Sequence, residues 1–175
     1  LLVPSASNTK DGVITPHLAP WLRHFKGLHG SEYKEPHRKI VVLRPGAKTR
    51  RMTNSDELLL ALKGWETVVL ETMTIREQMK TFAEATHIVA AHGAGLVNLL
   101  WCKPGTKVIE IQDTKMIHKK VYPLLSHHLG LKHELYLANT VPIKLEGGKK
   151  PKGIKRLSDL INFKIDVPDL LKYLD

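Results

Sequence analysis

Cysteine is almost absent from these 175 residues. Cys102 stands alone, which excludes an intrachain disulfide and any zinc site built from cysteine thiolates, so the fold must stand on its core. Long hydrophobic runs are missing too: no stretch approaches the roughly 20 apolar residues needed to span a bilayer. The opening segment LLVPSASNTK has neither the basic start nor the long apolar middle of a signal peptide. There is no G-x-x-x-x-G-K-[ST] loop, which excludes a P-loop nucleotide site, and no D-x-D pair. No zinc motif, helix-turn-helix or aromatic stacking platform is legible, so no nucleic acid is expected as a partner. The ten histidines show no metal-ligand spacing, with His127 and His128 adjacent and His24 and His29 lacking carboxylate companions. Neither a metal nor a cofactor is expected.

What is present is positive charge. A formal +10 implies an anionic partner, and a hydrophobic content of 42% is enough for one well-packed domain. The start on Leu1, Leu2 and Val3 reads as the end of a strand, suggesting a fragment whose beginning is missing. In ITPHLAPWLRHFKGLHG, Thr15 stands at an N-cap position, Pro16 in the first turn, and Leu18, Trp21, Leu22 and Phe25 recur at helical spacing. Residues 1–30 are therefore read as a lead-in strand and helix.

Residues 31–140 alternate between short β-branched runs and helical periods. The strands expected are KIVVL from Lys39, TVVLE ending at Glu71, HIVAA from His87, KVIEI from Lys107 and HELYLA from His133. Helices are expected over Ser55–Lys63, Ile75–Ala85 and Met116–Leu129, with a short one after the glycines at 93 and 95. Such alternation predicts an α/β fold, a Rossmann-like parallel sheet with helices on both faces. Residues 141–175 read as a basic glycine-rich loop, including Lys149–Arg156, followed by a C-terminal helix.

In an open parallel sheet, ligands bind beyond the carboxyl ends of the strands. The residues that break the apolar pattern fall there: Arg44 with the loop RPGAKTRRMTN, Glu71, His92-Gly93-Ala94-Gly95, and Gln112-Asp113. A strand-to-helix turn of bare backbone favours an anion, and Arg44, Lys48, Arg50 and Arg51 bring charge suited to phosphate oxygens. A diphosphate is the better match. The dinucleotide fingerprint belongs after the first strand and needs a third glycine, so NAD is not expected.

At this point the residues resemble glycosyltransferase family 61. The stretch HGAGLVNLLWCKPGTKVIEI is similar to that family's His-Gly-Ala-Gly-Leu, Asn, aromatic, Pro-Gly and Glu-bearing strand, and VVLRPGAKTRRMTNSDEL to its arginine segment. The likeness runs from about Lys39 to Gln112. It departs in two places: either Arg50 or Arg51 is the matching arginine, and Val97 stands where Thr is frequent. The resemblance implies the C-terminal half of a GT-B enzyme whose N-terminal domain completes the cleft. It further implies a UDP-sugar donor, with xylose, arabinose or N-acetylglucosamine transferred to a glycan or glycoprotein hydroxyl. The family is inverting, so a β-linkage would form. The site residues carried over are Arg44, Arg50, Arg51, Asn54, Gln78, His92, Gly93, Ala94, Gly95, Leu96, Asn98 and Glu110.

Each has a structural alternative that stays open on sequence grounds. His92 is a candidate general base, or a loop-fixing residue, with the base supplied by the other domain. Asn54 is a ligand contact or a helix cap completed by Glu57, Gln78 a site residue or one on a solvated helix face, and Glu110 binds ribose or makes a structural hydrogen bond. Trp101 reads as core. Competing readings of the whole are a non-catalytic nucleotide-sugar-binding module and a basic nucleic-acid-binding α/β domain. The compartment implied is the Golgi or endoplasmic reticulum lumen for a eukaryotic source and the cytoplasm for a bacterial or viral one.

Overall fold

The computed structural model describes residue 24 and residues 33–113, 120–143 and 161–174. The expected lead-in segment apart from His24, the start of the helix expected from Met116 and the loop Lys149–Arg156 lie outside the described residues.

The strands β1 (Arg38–Leu43), β2 (Glu66–Val69), β3 (Ala85–Ala91), β4 (Lys107–Gln112) and β5 (Lys132–Leu137) form one five-stranded sheet in the order β2-β1-β3-β4-β5. Every neighbouring pair is parallel. The α/β expectation is met at that level. Runs such as KIVV and HIVAA can be apolar at consecutive positions because both faces of the sheet are covered.

On one face Ile40, Val42, Ile88, Ala90 and Val108 pack with Phe82, Leu99, Tyr122 and Leu125. These come from α2 (Ile75–Ala83), the 3₁₀ helix Ala94–Trp101 and α3 (Val121–Leu129). On the other face Val41, Val89, Ile109 and Ile111 meet Leu58 of α1 (Ser55–Ala61) and Leu170 of α4 (Val167–Leu171). Local chemistry sets the helix ends. Thr74 and Glu77 form a reciprocal capping box at the start of α2, and Gly130, at φ 70°, closes α3 in the left-handed conformation.

The structure departs from the sequence reading in several places. TVVLE does not run on as a strand: β2 stops at Val69, and Leu70–Thr72 is a 3₁₀ turn that leaves Glu71 exposed. The segment after the glycines is 3₁₀ rather than α-helical. An antiparallel pair not expected at all joins β6 (Asn139–Pro142) to β7 (Ile161–Lys164). Its strands are four residues each, too short to show a period.

That pair matters for the site. Phe163 of β7 is wholly buried in the α1/α4 core, and β7 also lies along the arginine loop. The backbone bonds are Arg50 N–H to Ile161 O at 2.6 Å, Phe163 N–H to Arg51 O at 2.8 Å and Thr53 N–H to Phe163 O at 2.7 Å. The segment after residue 160 is thus a support of the loop and part of the core, and it holds the strand β7 ahead of the C-terminal helix read from the sequence. Phe163→Ala should lower the unfolding free energy by about 3–5 kcal/mol, measured by urea denaturation. A loss under about 1 kcal/mol would mean that β7 is a loose appendage.

Candidate functional site

The strand order reverses direction between β1 and β3, since the chain leaves β1 toward β2 on one side and builds β3, β4 and β5 on the other. Loops diverging from two such neighbours open a crevice at their carboxyl ends. A cleft of about 320 Å³ lies there, lined by Arg44, Glu71, Gln78, Gly93, Gly95 and Asn98 among others. Arg44 also lines an adjoining cleft of about 370 Å³, with Arg51 and Thr53.

Arg44 follows β1 directly. One of its guanidinium nitrogens, Nη1, is buried and makes no hydrogen bond, an arrangement that leaves a strong donor unsatisfied. Arg50 is held differently. Its backbone takes φ 59°, rare for a residue with a side chain, and its Nη1 donates to the carbonyl of His92 at 2.8 Å. Arg51 is exposed, with its backbone tied at both groups: its N–H donates to Asn162 Oδ1 at 3.0 Å and its carbonyl accepts from Phe163 N–H at 2.8 Å.

The guanidinium groups of Arg44 and Arg50 meet at Gly93. A Cβ added there would stand 3.6 Å from Nη1 of each. Gly93 is extended, at φ 166°, so its backbone does not require glycine; what its bareness provides is space beside two cations. Gly95 is small for another reason. A Cβ on it would lie 2.6 Å from Leu70 Cδ1, so it permits the 3₁₀ helix to sit against the Leu70 turn. Leu96 is buried, and its N–H already donates to Gly93 O at 3.0 Å.

His92 does not line the cleft. Its ring is buried, edge-on to Tyr122 with centroids 5.3 Å apart, and its Nδ1 bonds Glu110 Oε1. Glu110 is wholly inaccessible to solvent, which puts its carboxylate behind His92 and out of reach of a ribose in the cleft. Its other oxygen accepts from His133 Nε2 at 3.0 Å, and His133 Nδ1 lies 2.7 Å from Ser126 Oγ. Burial is the largest single influence on Glu110 and opposes its ionisation. The bonds from His133, His92 and Gln112 together outweigh it and hold the carboxyl below the ordinary glutamate range.

Three of the expected contact residues turn out to be clamps. Asn54 does not cap α1 with its side chain: its Oδ1 accepts from Ile165 N–H at 2.9 Å and its Nδ2 donates to Ile165 O at 2.8 Å. Gln78 is half-buried, donating to Leu70 O at 3.0 Å and accepting from Asn98 Nδ2 at 2.9 Å. Asn98 in turn donates to Gly95 O at 3.2 Å. Gln78 and Asn98 therefore fasten the glycine turn to α2 while their edges remain on the cleft wall. Trp101 is core, as read from the sequence.

Residues 1–109 match the family model for Glycosyltransferase 61. The chain belongs to glycosyltransferase family 61. The matched range takes in the arginine loop, Gln78, the glycine turn and Asn98, and it ends one residue before Glu110. This family-61 chain is similar to the β-1,2-xylosyltransferase RCN11 of Oryza sativa subsp. japonica, 31% identical over 98 residues that cover 50% of this chain and 18% of that protein. It is also similar to a β-1,2-xylosyltransferase of Arabidopsis thaliana, 26% identical over 114 residues covering 55% and 21%. The chain thus spans about a fifth of the length of these curated relatives.

His133, Ser126 and Tyr122 were not singled out in the family-61 reading. The available signal was Glu110 itself, since an acid between Ile109 and Ile111 in a buried strand demands a donor. Because the folded state holds the Glu110 carboxyl low, its contribution is fully present above the unfolded value and fades as pH falls through the folded one. Glu110→Gln should therefore cost about 1.5–3 kcal/mol at neutral pH. The gap from the parent should narrow below about pH 4.3, in urea melts run across pH. A gap that is constant or widens in acid would contradict the assignment.

Proposed function

We propose that this chain is the nucleotide-sugar-binding part of an inverting glycosyltransferase, the C-terminal half of a GT-B enzyme. The donor is a UDP-sugar whose diphosphate lies in the crevice between Arg44 and the Gly93–Gly95 turn. One observation carries the reading: the buried, unpaired Nη1 of Arg44 stands beside a residue with no side chain, at the reversal in strand order. An anion there would satisfy that donor, and the backbone amides of Ala94 and Gly95 are its natural second partners.

Xylose is the sugar we favour, because both relatives described above are named as β-1,2-xylosyltransferases. A glycan or glycoprotein supplies the acceptor hydroxyl. Its oxygen attacks the anomeric carbon as the bond to the UDP oxygen breaks, which inverts an α-linked donor to a β-linked product. The hydroxyl proton goes to a general base, and negative charge grows on the departing diphosphate. Arg44, with Arg51 in the adjoining cleft, stabilises that charge. His92 has its Nδ1 engaged by Glu110 and its ring shut away from the cleft, so we assign it a positioning part through the carbonyl that holds Arg50, and place the base in the opposing N-terminal domain.

Titration calorimetry of this chain with UDP, UDP-xylose, UDP-N-acetylglucosamine and NAD tests the reading. UDP compounds should bind and NAD should not. Arg44→Ala should weaken UDP by about 10–100-fold, the loss of one charged hydrogen-bonding partner. Gly93→Asp, which sets a carboxylate between the two guanidinium groups, should abolish binding. Unchanged affinity in both variants would remove the diphosphate from this crevice, and no UDP binding by the parent would remove the nucleotide-sugar reading from this half.

A further inference from the structure

The crevice proposed for the diphosphate carries one group that a diphosphate does not explain. Glu71, in the 3₁₀ turn that follows β2, lines the same cleft as Arg44 and is the only acid among its lining residues. Its carboxylate is exposed, and among the described residues it makes no hydrogen bond or ion pair, with Arg44 included. A free carboxylate beside a site for two phosphates repels them.

The turn that carries Glu71 is held without its side chain. Thr72 Oγ1 donates to Val69 O at 2.9 Å, Met73 N–H to Leu70 O at 3.2 Å, and Gln78 Nε2 to Leu70 O at 3.0 Å and Met73 O at 3.2 Å. Thr74 and Glu77 close the start of α2 between themselves. The amide nitrogens of Gln78 and Asn98 are also committed, to backbone and to each other, so Glu71 is the one anionic acceptor the cleft offers a ligand.

An ionised carboxylate only accepts, through two oxygens side by side, and its uncharged complement is a pair of adjacent hydroxyls. The ends of neighbouring strands lie about 4.8 Å apart, so the part of a donor next to its phosphates is within reach of the turn after β2. We infer that Glu71 is a specificity-determining residue that binds a vicinal diol of the donor, while the diphosphate lies between Arg44 and Gly93. The inference rests on the nucleotide-sugar reading above. A UDP-sugar carries such diols on its ribose and on a sugar such as xylose, and the two sources are separated by experiment.

The test is calorimetric titration of this chain and of Glu71→Gln with inorganic pyrophosphate, UDP, 2′-deoxy-UDP and UDP-xylose. The variant should melt with the parent, since the side chain has no partner to lose. It should bind pyrophosphate as tightly as the parent or more tightly, because a like charge is gone. It should nonetheless weaken the diol-bearing ligand by about tenfold, the loss of a charged hydrogen bond. A ribose diol predicts that the parent prefers UDP to 2′-deoxy-UDP by about tenfold and that Glu71→Gln erases the preference. A sugar diol predicts that UDP and 2′-deoxy-UDP bind alike, and that the variant erases an advantage of UDP-xylose over UDP. The inference is overturned, with the donor reading intact, if the parent binds UDP compounds and Glu71→Gln binds them all equally or more tightly, which leaves only relief of repulsion. Equal weakening of pyrophosphate and UDP compounds would also overturn it, in favour of a structural part. Pyrophosphate binding by a parent that binds no UDP compound would remove the donor reading and this inference with it.

Discussion

A carboxylate sealed inside an α/β sheet has to be supplied with donors, and in this chain much of the crevice's geometry follows from how Glu110 obtains them. Its two oxygens are taken by His92 at the end of β3 and by His133 in β5. Fixing the His92 ring also fixes the peptide that follows it. The His92 carbonyl receives Arg50, and Arg50 sits at a backbone angle that a side-chain-bearing residue seldom adopts. Each step narrows the next, from a buried charge to a ring, a carbonyl and a guanidinium. The result is a pair of arginines converging on Gly93.

The second support comes from the far end of the described chain. β7 bonds the backbone of the arginine loop while Phe163 anchors it in the core, and Asn54 ties the start of α1 to Ile165. A loop carrying several like charges would otherwise spread apart. Rigid backing lets it hold those charges at one edge, and in the proposed reading it lessens the ordering that anion binding must still accomplish.

The sheet was legible in the sequence because its strands are doubly buried and its helices amphipathic, so period and length told them apart. The rim was legible because polar residues interrupt apolar runs at the carboxyl ends of strands. The β6–β7 pair was not, being short and ending its first strand on Pro142. Nor was the 3₁₀ form of Ala94–Trp101, or its seat against the Leu70 turn, for which Gly95 must be bare. The His133 contact with Glu110 depends on the side-by-side placement of β4 and β5, and nothing local in HELYLA announces it.

The site residues carried over by family resemblance divide once their contacts are known. Arg44 and Arg51 turn charge toward the clefts, whereas Asn54 holds backbone, Gln78 and Asn98 hold backbone and each other, and Glu110 holds the rings of His92 and His133. A motif defined by chemistry at a crevice therefore contains residues of two kinds, and sequence position does not separate them. Amide side chains suit the second kind because they donate and accept at once, so Asn54 can pair with both polar groups of Ile165. A carboxylate in that position would repel the Ile165 carbonyl, and a hydroxyl would be too short to reach both groups. The requirement for asparagine at residue 54 thus arises from the backbone it clamps, whatever ligand the crevice takes.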